Sequence, residues 1–425
     1  MKNQNVLLER TLLLGTSFLL IIGSLYFFST VIDSIVINKF GAEGIPLMEV
    51  VKFVVSVAIC GLVLSSKKIS NNFSIFIGFL SLISFSVLMI FSLTYSPSGF
   101  STIAAVMLYV SGSLLINLGL YCVWMLMTSI VKISEGIYFS WFGALAQIGV
   151  IISTDLLKNH LNTEQPNKII IYGCLGCFIA FCIILFALKR YNCIGSNLND
   201  FLKVENSAFE KPLKASIKFI SIPYIRLICL IILAQVSFGE IMMWQVYKMA
   251  ESAGNISSAT KLLADFFQYT GWIALFSQLV IVPLSFNYLT ARYGLFVLPI
   301  IGILSLLSIS TSASTFSVFI TIATYRSLDF TLNNCMREAL FIPLPLKSKV
   351  YLKVIIAMLI PRIAKLFSSL TLLLISNKEF FIWMFVILVI LVSWLWSVFG
   401  TLNLYGRYSE SSDSTIEASS VDKIQ

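Results

Sequence analysis

The chain has 425 residues, of which 58% are hydrophobic and 12% are charged, and its formal net charge at pH 7 is +9. Soluble domains contain about 45–50% apolar and about 25% charged residues, so this composition excludes an ordinary soluble protein. The single histidine, His160, and the lack of a glycine-rich phosphate loop or a cysteine–histidine cluster argue against an enzyme, and we expect neither a cofactor nor a metal ion.

Twelve apolar blocks follow one another along the chain, and blocks of about 20 residues cross a hydrocarbon core about 30 Å thick. The first six cover about 11–32, 46–65, 73–95, 102–131, 137–157 and 168–188. The second six cover about 227–247, 267–289, 294–313, 315–335, 350–375 and 379–402. They predict an all-α membrane protein with twelve transmembrane helices in two six-helix bundles, the layout of the major facilitator transporters.

The polar segments between these blocks set the expected domain organisation. The N-terminal bundle occupies 1–188 and the C-terminal bundle occupies 227–404. Between them lies a polar linker, 189–226, and after them a polar tail, 405–425, which we expect to be disordered. The segments on the side of the N-terminus hold 18 Lys and Arg residues, against 6 on the other side. This bias predicts that both termini and the linker face the cytoplasm.

Two predicted spans carry opposite charges three residues apart, which places each pair on one helix face. In the second span these are Glu49 and Lys52, and we expect a local ion pair near the outer end of the helix. In the tenth span they are Arg326 and Asp329, close to the middle of the bilayer. An ion pair within the helix is one interpretation, but the depth of Arg326 favours a residue that lines a cavity.

Glu240 in the seventh span has no opposite charge three or four residues away. A buried carboxylate of this kind must find a cation on another helix or become protonated. The candidate partners in the tenth and eleventh spans are Arg326, Lys353, Arg362 and Lys365. Pro361 is expected to kink the eleventh helix beside Arg362, and a kinked helix with cations at mid-depth indicates a cavity that receives an anion.

Five segments over about 31–365 resemble the ATP:ADP antiporter family of bacterial and plastid nucleotide transporters. The most informative is REALFIPLPLKSKVYLK, where the matching residues are Arg337, Glu338, Phe341, Ile342, Pro343, Leu344, Lys349 and Lys353. The others are VIDSIVINKFGAEGIP at 31–46, SEGIYFSWFGALAQIG at 134–149, FGEIMMW at 238–244 and YTGW at 269–272. The chain departs from the family at Ile32, at Gly136 and Ile137, and at Glu49, where the family has cations.

The resemblance implies a carrier in a bacterial cytoplasmic (inner) membrane that exchanges nucleotides or related anions by alternating access. Its partners would be the lipid bilayer and a small anionic metabolite, with ATP and ADP as candidates, and no nucleic acid; we expect a monomer. The expected substrate-binding residues are Arg326, Arg337, Lys353, Arg362 and Lys365. The expected coupling or gating carboxylates are Asp33, Glu240, Asp329 and Glu338.

Two other functions fit the same sequence. One is a proton-coupled symporter of a non-nucleotide solute, in which Glu240 and Asp33 titrate. The other is a membrane receptor or assembly protein that keeps the scaffold without transporting anything. A membrane enzyme ranks below both.

The predicted topology can be tested with reporter fusions. Reporters that are active only in the cytoplasm, placed after Gln425 or near Asn206, should both be active because the Lys and Arg bias retains these segments inside. A fusion near Lys378, in a segment expected on the other side, is the matched control and should be inactive. If the Lys378 fusion is active and the other two fusions are inactive, the orientation of the chain is opposite to the predicted one.

Overall fold

The computed structural model describes residues 2–65, 82–91, 102–115, 137–160, 165–190, 222–288, 291–311, 314–333, 336–337, 340, 356, 359–375 and 380–421. Within this part of the chain the structure is helical and contains no strand. Twelve helices are numbered here in chain order. They form two six-helix bundles, as the twelve apolar blocks predict.

The first bundle contains α1 (Lys2–Phe40), α2 (Gly44–Ser65), α3 (Leu82–Phe91), α4 (Thr102–Leu115), α5 (Ile137–Asp155) and α6 (Pro166–Arg190). A π-helical turn, Leu156–His160, extends α5. Helix α1 packs against both α5 and α6. By length and composition, α1 over Gly15–Phe40 and α6 over Pro166–Ile183 can each cross a membrane.

The second bundle contains α7 (Pro223–Ser252), α8 (Ile256–Phe276), α9 (Ala291–Thr311), α10 (Thr315–Leu328), α11 (Ile360–Ile375) and α12 (Phe380–Val421). A π-helical turn, Ser277–Ile281, joins α8 to a short helical segment, Val282–Tyr288, and a second one, Asp329–Asn333, extends α10. Four segments here can cross a membrane: Pro223–Ser252, Ile256–Ser285, Gly294–Thr311 and Ile382–Leu404.

The two bundles repeat one packing scheme. As α1 packs on α5 and α6, so α7 packs on α11 and α12. Both first helices end at a glycine in the left-handed region, Gly41 at φ 72° after α1 and Gly254 at φ 80° after α7. A side chain with a Cβ is disfavoured in this conformation, and glycine there ends a helix at low cost. The equivalences indicate two parallel repeats, the arrangement of the two major facilitator halves.

Contacts between the bundles follow the same symmetry, since α8 packs against α5 and α2 packs against α11. At the α5–α8 contact, Lys158 forms an ion pair with Asp265, and Gln268 Nε2 lies 3.4 Å from Asp155 Oδ1. These polar contacts lie at the end of the molecule where α1 joins α2 and α7 joins α8. The Lys and Arg bias predicts that this end faces away from the cytoplasm.

Three local features differ from the sequence-based expectations. Helix α8 begins at Ile256, earlier than the predicted span, because the side chain of Asn255 caps it by accepting a hydrogen bond from Ser258 N at 2.7 Å. Helix α11 begins at Ile360, and Ile356 and Leu359 before it are π-helical, so the helix changes type beside Pro361. The expected kink at Pro361 stays a prediction. Helix α12 continues to Val421, through the tail expected to be disordered, because extending an existing helix is easier than nucleating one.

The closest approach of α1 and α5 tests this packing. A Cβ on Gly149 would overlap the backbone oxygen of Leu19, so Gly149→Ala forces two backbones apart. We expect a loss of about 1–3 kcal/mol in stability, measured as a lower melting temperature in detergent. Gly400→Ala is the matched control: its Cβ would meet only the Leu227 side chain at 3.0 Å, which can rotate. Equal melting temperatures for the two variants would contradict the α1–α5 packing.

Candidate functional site

A group of ionised side chains lies between the two bundles, and we call it the central charge cluster. Helices α1 and α2 contribute its members from the first bundle, and α7, α10 and α11 contribute those from the second. The members are Asp33, Glu49, Lys52, Glu240, Arg326, Arg362 and Lys365. The packing of α2 on α11 brings the two charged helix faces together.

Glu49 is the most highly connected carboxylate of the cluster. Its Oε1 lies 2.6 Å from Lys52 Nζ and accepts a hydrogen bond from Tyr109 Oη at 3.2 Å. Arg362 Nη1 lies 3.9 Å from Glu49 Oε2, and Lys365 Nζ lies 4.0 Å from Glu49 Oε1. The expected Glu49–Lys52 pair therefore forms, but it lies inside the molecule, with Glu49 5% and Lys52 9% exposed, and it reaches across to the second bundle.

Glu240 is paired with cations from two other helices. Its Oε1 lies 2.8 Å from Lys365 Nζ on α11 and 3.8 Å from Arg326 Nη2 on α10. The predicted pairing of Glu240 with a cation of the tenth or eleventh span is confirmed, although its role in coupling stays a prediction. Among the four candidate partners, Arg362 contacts Glu49 instead, and Lys353 lies outside the described residues. Lys365 reaches both carboxylates and so links the two parts of the cluster.

Arg326 occupies a confined position beside an aromatic ring. Its guanidinium carbon lies 5.0 Å from the centre of the Phe330 ring, a distance typical of a cation–π contact. A Cβ on Gly239 would come within 3.2 Å of Arg326 Nη1, so glycine leaves room for the guanidinium against α7. The buried Arg326 Nε has no hydrogen-bond partner. Arg326 therefore keeps an unused donor beside its long contact with Glu240.

The Arg326–Asp329 ion pair considered from the sequence does not form. Asp329 instead accepts hydrogen bonds from the side-chain amides of Gln235 and Asn333, the latter at 3.4 Å. The reason is geometric: Asp329 begins the π-helical turn and faces Gln235 of α7, whereas Arg326 reaches Glu240. Asp329 thus lies beside the central charge cluster without belonging to it.

The remaining predicted site residues have different surroundings. Asp33 lies within electrostatic range of Lys52, Glu49 and Lys365, so α1 also contributes to the cluster. Arg337 is half-buried after α10 and lies within electrostatic range of Asp329. Lys353 and Glu338 lie outside the described residues.

The charge balance of the cluster is positive, with four cations against three carboxylates, and it stays positive when the neighbouring Asp329 and Arg337 are both counted. A charge at mid-bilayer depth costs about 2.5–3.5 kcal/mol on insertion scales, and it is retained where it pairs or faces a cavity. Within the described residues no group of three His, Cys, Asp or Glu side chains is placed to hold a metal ion. The carboxylates of the cluster therefore leave one positive charge unbalanced.

Sequence reasoning missed the central position of Glu49 and Lys52, and it did not identify Tyr109. The sequence did contain a signal for Glu49. Helix α11 carries two cations three residues apart, and such a face needs a counter-ion on another helix, which the charged face of α2 could supply. Tyr109 gave no such signal. Its hydroxyl donates to Glu49 and its ring lies 3.8 Å from Lys52 Nζ, contacts that depend on the approach of α4 to α2.

Solved transporters share this fold at low sequence identity. A bacterial homologue of the iron transporter ferroportin, in its outward-facing state, matches with a TM-score of 0.66 and 15% identity over 94% of this chain and 99% of that chain. A POT family transporter in complex with 5-aminolevulinic acid matches with a TM-score of 0.59 and 10% identity over 93% and 96%. A bacterial homologue of the human lysosomal transporter Spinster, facing inward, matches with 0.51 and 12% over 95% and 98%. No family model and no curated protein sequence matches the chain.

These similarities show that the chain has the fold of the major facilitator transporters. At such identities they carry no information about the substrate. The resemblance to ATP:ADP antiporters thus agrees in fold, while nucleotide exchange gains no specific support from them.

The pairing of Glu240 and Lys365 predicts a double-mutant effect. Glu240→Gln leaves Lys365 and Arg326 without this carboxylate, which should cost up to about 3–5 kcal/mol if nothing relaxes. Adding Lys365→Met should restore part of the loss, so the double change should cost less than the sum of the single changes. Thermal unfolding in detergent measures this coupling.

The exposed pair of Lys248 and Glu251, 3.2 Å apart on α7, provides a matched control. The corresponding cycle with Glu251→Gln and Lys248→Met should show a coupling below about 0.5 kcal/mol because both side chains are hydrated. Similar coupling energies in the two cycles would mean that Glu240 and Lys365 are not a buried pair.

Proposed function

We propose that this protein transports a small anionic metabolite across a bacterial cytoplasmic membrane by alternating access. The observation that carries the proposal is the central charge cluster, a net-positive group of buried and half-buried side chains between the two bundles. Both termini would face the cytoplasm, and the 189–226 linker would connect the bundles there. A nucleotide or a related phosphorylated or carboxylated compound is the substrate class we favour.

The protein's own carboxylates act as internal counter-ions when no substrate is bound. Each of the four cations of the cluster lies within 4.0 Å of Glu49, of Glu240 or of both. Two of these contacts, from Arg362 and Arg326, are 3.9 and 3.8 Å long, beyond hydrogen-bonding distance. Glu49 Oε2 and Arg326 Nε are both buried without a hydrogen-bond partner. Partly satisfied charges of this kind can exchange partners when a second anion arrives.

Exchange of partners would couple binding to movement. Glu49 belongs to the first bundle, whereas Arg362 and Lys365 belong to the second, so these contacts hold the two bundles together at the α2–α11 interface. A substrate anion that takes over Arg362 and Lys365 removes part of this link. Because a ligand shifts a conformational equilibrium by its differential affinity, an anion bound to one bundle can favour the state in which the bundles separate.

The choice of a nucleotide depends on the resemblance to ATP:ADP antiporters. Arg326, Arg362 and Lys365 would contact the phosphates, and Arg337 and Lys353 would contribute from the segment after α10. The first-span lysine of the family falls at Ile32, whose Cδ1 would lie 3.1 Å from a Cβ on Gly112 inside the first bundle. This position supplies no cation, so we expect ATP and ADP to be weaker substrates here than in the family.

Proton-coupled symport of a non-nucleotide solute is the second candidate. Asp33 favours it, because this half-buried carboxylate makes no hydrogen bond or ion pair with another described side chain. A carboxylate near Lys52 and Glu49 but bound to neither can take up a proton without breaking a contact. Coupling of this kind would make uptake respond to a pH gradient rather than to anions on the other side.

Uptake into proteoliposomes distinguishes these functions. Separate vesicles are preloaded with ATP, ADP, inorganic phosphate or a dicarboxylate, and uptake of the same compound in labelled form is measured. For at least one compound, preloaded vesicles should take up the label at least about tenfold faster than empty vesicles. Uptake of ATP and ADP should be slower than uptake of the best substrate. Exchange of ATP for ADP as the fastest reaction would contradict the importance given to Ile32. Uptake that depends only on a pH gradient would favour proton-coupled symport, and the lack of any flux would favour a receptor.

Two variants separate substrate contact from structural damage. Arg362→Ala should reduce uptake of the best anion by at least about tenfold, equivalent to 1.4 kcal/mol, because a phosphate or carboxylate loses a cation. Glu49→Gln should instead raise the apparent affinity for that anion, since an internal competitor is removed. Lowered affinity in both variants would identify Glu49 as a structural residue only.

A further inference from the structure

A second buried polar group lies beside the central charge cluster, at the π-helical turn that extends α10. It consists of Asp329 and Asn333 on that turn and Gln235 on α7. These side chains are 7%, 2% and 2% exposed, respectively. The proposed anion transport uses none of these three side chains, so the group requires an explanation of its own.

One hydrogen-bond acceptor of this group, on Gln235, has no donor. Gln235 Nε2 donates to Asp329 Oδ1, and Asn333 Nδ2 lies 3.4 Å from the same oxygen. Gln235 Oε1 is buried and has no hydrogen-bond partner. The nearby Tyr325 hydroxyl donates to the backbone oxygen of Gln235 at 3.3 Å rather than to this side-chain oxygen.

A carboxylate and a primary amide can share only one hydrogen bond, because the carboxylate has no proton to give. A neutral carboxylic acid and a primary amide can share two, since the acid O–H donates to the amide oxygen while the amide N–H donates to the acid carbonyl. One of the two bonds is present here, and the missing one needs a donor for Gln235 Oε1. Protonation of Asp329 at Oδ2 supplies that donor.

We propose that Asp329 and Gln235 form a proton-binding site. One proton from water forms an O–H bond at Asp329 Oδ2, the carboxylate becomes neutral, and the new O–H donates to Gln235 Oε1. Release of the proton restores the carboxylate and its single bond from Gln235 Nε2. No other bond forms or breaks.

The neighbouring guanidinium groups oppose any added positive charge on Asp329, whether a proton or a metal cation, so the choice between the two depends on the ligands present. Arg326 on α10 and Arg337 beyond it lie within electrostatic range of Asp329, and Tyr325 is the neighbouring phenol. The facing parts of α9 (294–311) and of the 277–285 segment contain no charged residue. A sodium ion would need several oxygen ligands beside two guanidinium groups, whereas a proton needs one acceptor, Gln235 Oε1.

The site would also affect the central charge cluster, a consequence that rests on the proposed function. Arg326 precedes Asp329 by one helical turn and contacts Glu240. Neutralising Asp329 removes a negative charge beside Arg326 and makes the cluster more positive. Proton binding and anion binding would then favour each other.

Infrared difference spectroscopy tests the proton site without any substrate. The full chain in proteoliposomes is titrated from alkaline to acidic pH, and the carbonyl band of a protonated carboxyl group is followed. Because the chain has 20 Asp and Glu residues, we expect Asp329 to contribute a reversible component of this band. This component should be missing in Asp329→Asn and retained in Glu251→Gln, which is the matched carboxylate control on α7.

Gln235→Leu keeps Asp329 and provides the second variant in case Asp329→Asn does not fold, as judged by size-exclusion chromatography. Its band should remain but shift in frequency, because the protonated acid has lost its amide partner. The proposal is overturned if Asp329→Asn removes no component of the band, if Gln235→Leu leaves the frequency of that component unchanged, or if sodium at constant pH produces the change. Because no transported anion is involved, failure here leaves the proposed anion transport standing.

Discussion

The cost of burying charge in a membrane protein is the constraint on which the rest of this structure depends. Ionised side chains between the two bundles must be compensated, and the compensation comes from several helices at once. Lys365 illustrates this, since its ammonium group lies 2.8 Å from Glu240 on α7 and 4.0 Å from Glu49 on α2. The interface between the bundles is therefore held partly by charges that a competing anion can redistribute.

The two bundles are parallel repeats, and this arrangement shows how a redistribution of charge contacts could accompany a movement of one bundle against the other. Each bundle packs its first helix on its fifth and sixth helices, and the bundles meet through α2 with α11 and α8 with α5. The two interfaces are equivalent in position but differ in chemistry. One contains the buried charges around Glu49, and the other has a partly exposed pair, Lys158 and Asp265, near the end of the molecule. A fold of this symmetry can move one bundle against the other while such local pairs break and re-form.

The orientation of Arg326 separates the two polar sites of the second bundle. Because its guanidinium contacts Glu240 and the Phe330 ring, Asp329 is left to side-chain amides on α7 and on its own π-helical turn. The π-helical turn matters here, since it changes the direction of the side chains that follow Leu328. The proposed anion site and the proposed proton site would lie one helical turn apart, which would offer a simple physical basis for coupling.

The sequence by itself determined the fold class. The length and spacing of twelve apolar blocks require helices, because a backbone in hydrocarbon must satisfy its own hydrogen bonds. It also identified charged residues within the predicted spans, since the cost of a charge in the bilayer depends on residue type and depth. These residues are Glu240, Arg326, Arg362 and Lys365, and all four are half-buried in the structure. Helix ends were less certain, and Asn255 shows why: a capping hydrogen bond starts α8 inside a polar segment.

Only the tertiary structure decided which charges meet. Glu49 is 313 positions from Arg362, as their numbers give, and no periodicity in one helix predicts a contact across two bundles. The partner of Glu240 depended on the rotation of α11, which presents Lys365 to Glu240 and Arg362 to Glu49. Similarly, the spacing of Arg326 and Asp329 allowed a local ion pair. In the structure each side chain instead contacts a different residue of α7, Glu240 for Arg326 and Gln235 for Asp329. Pairing energy in a low-dielectric interior depends on distances between helices, and those distances are set by packing rather than by order along the chain.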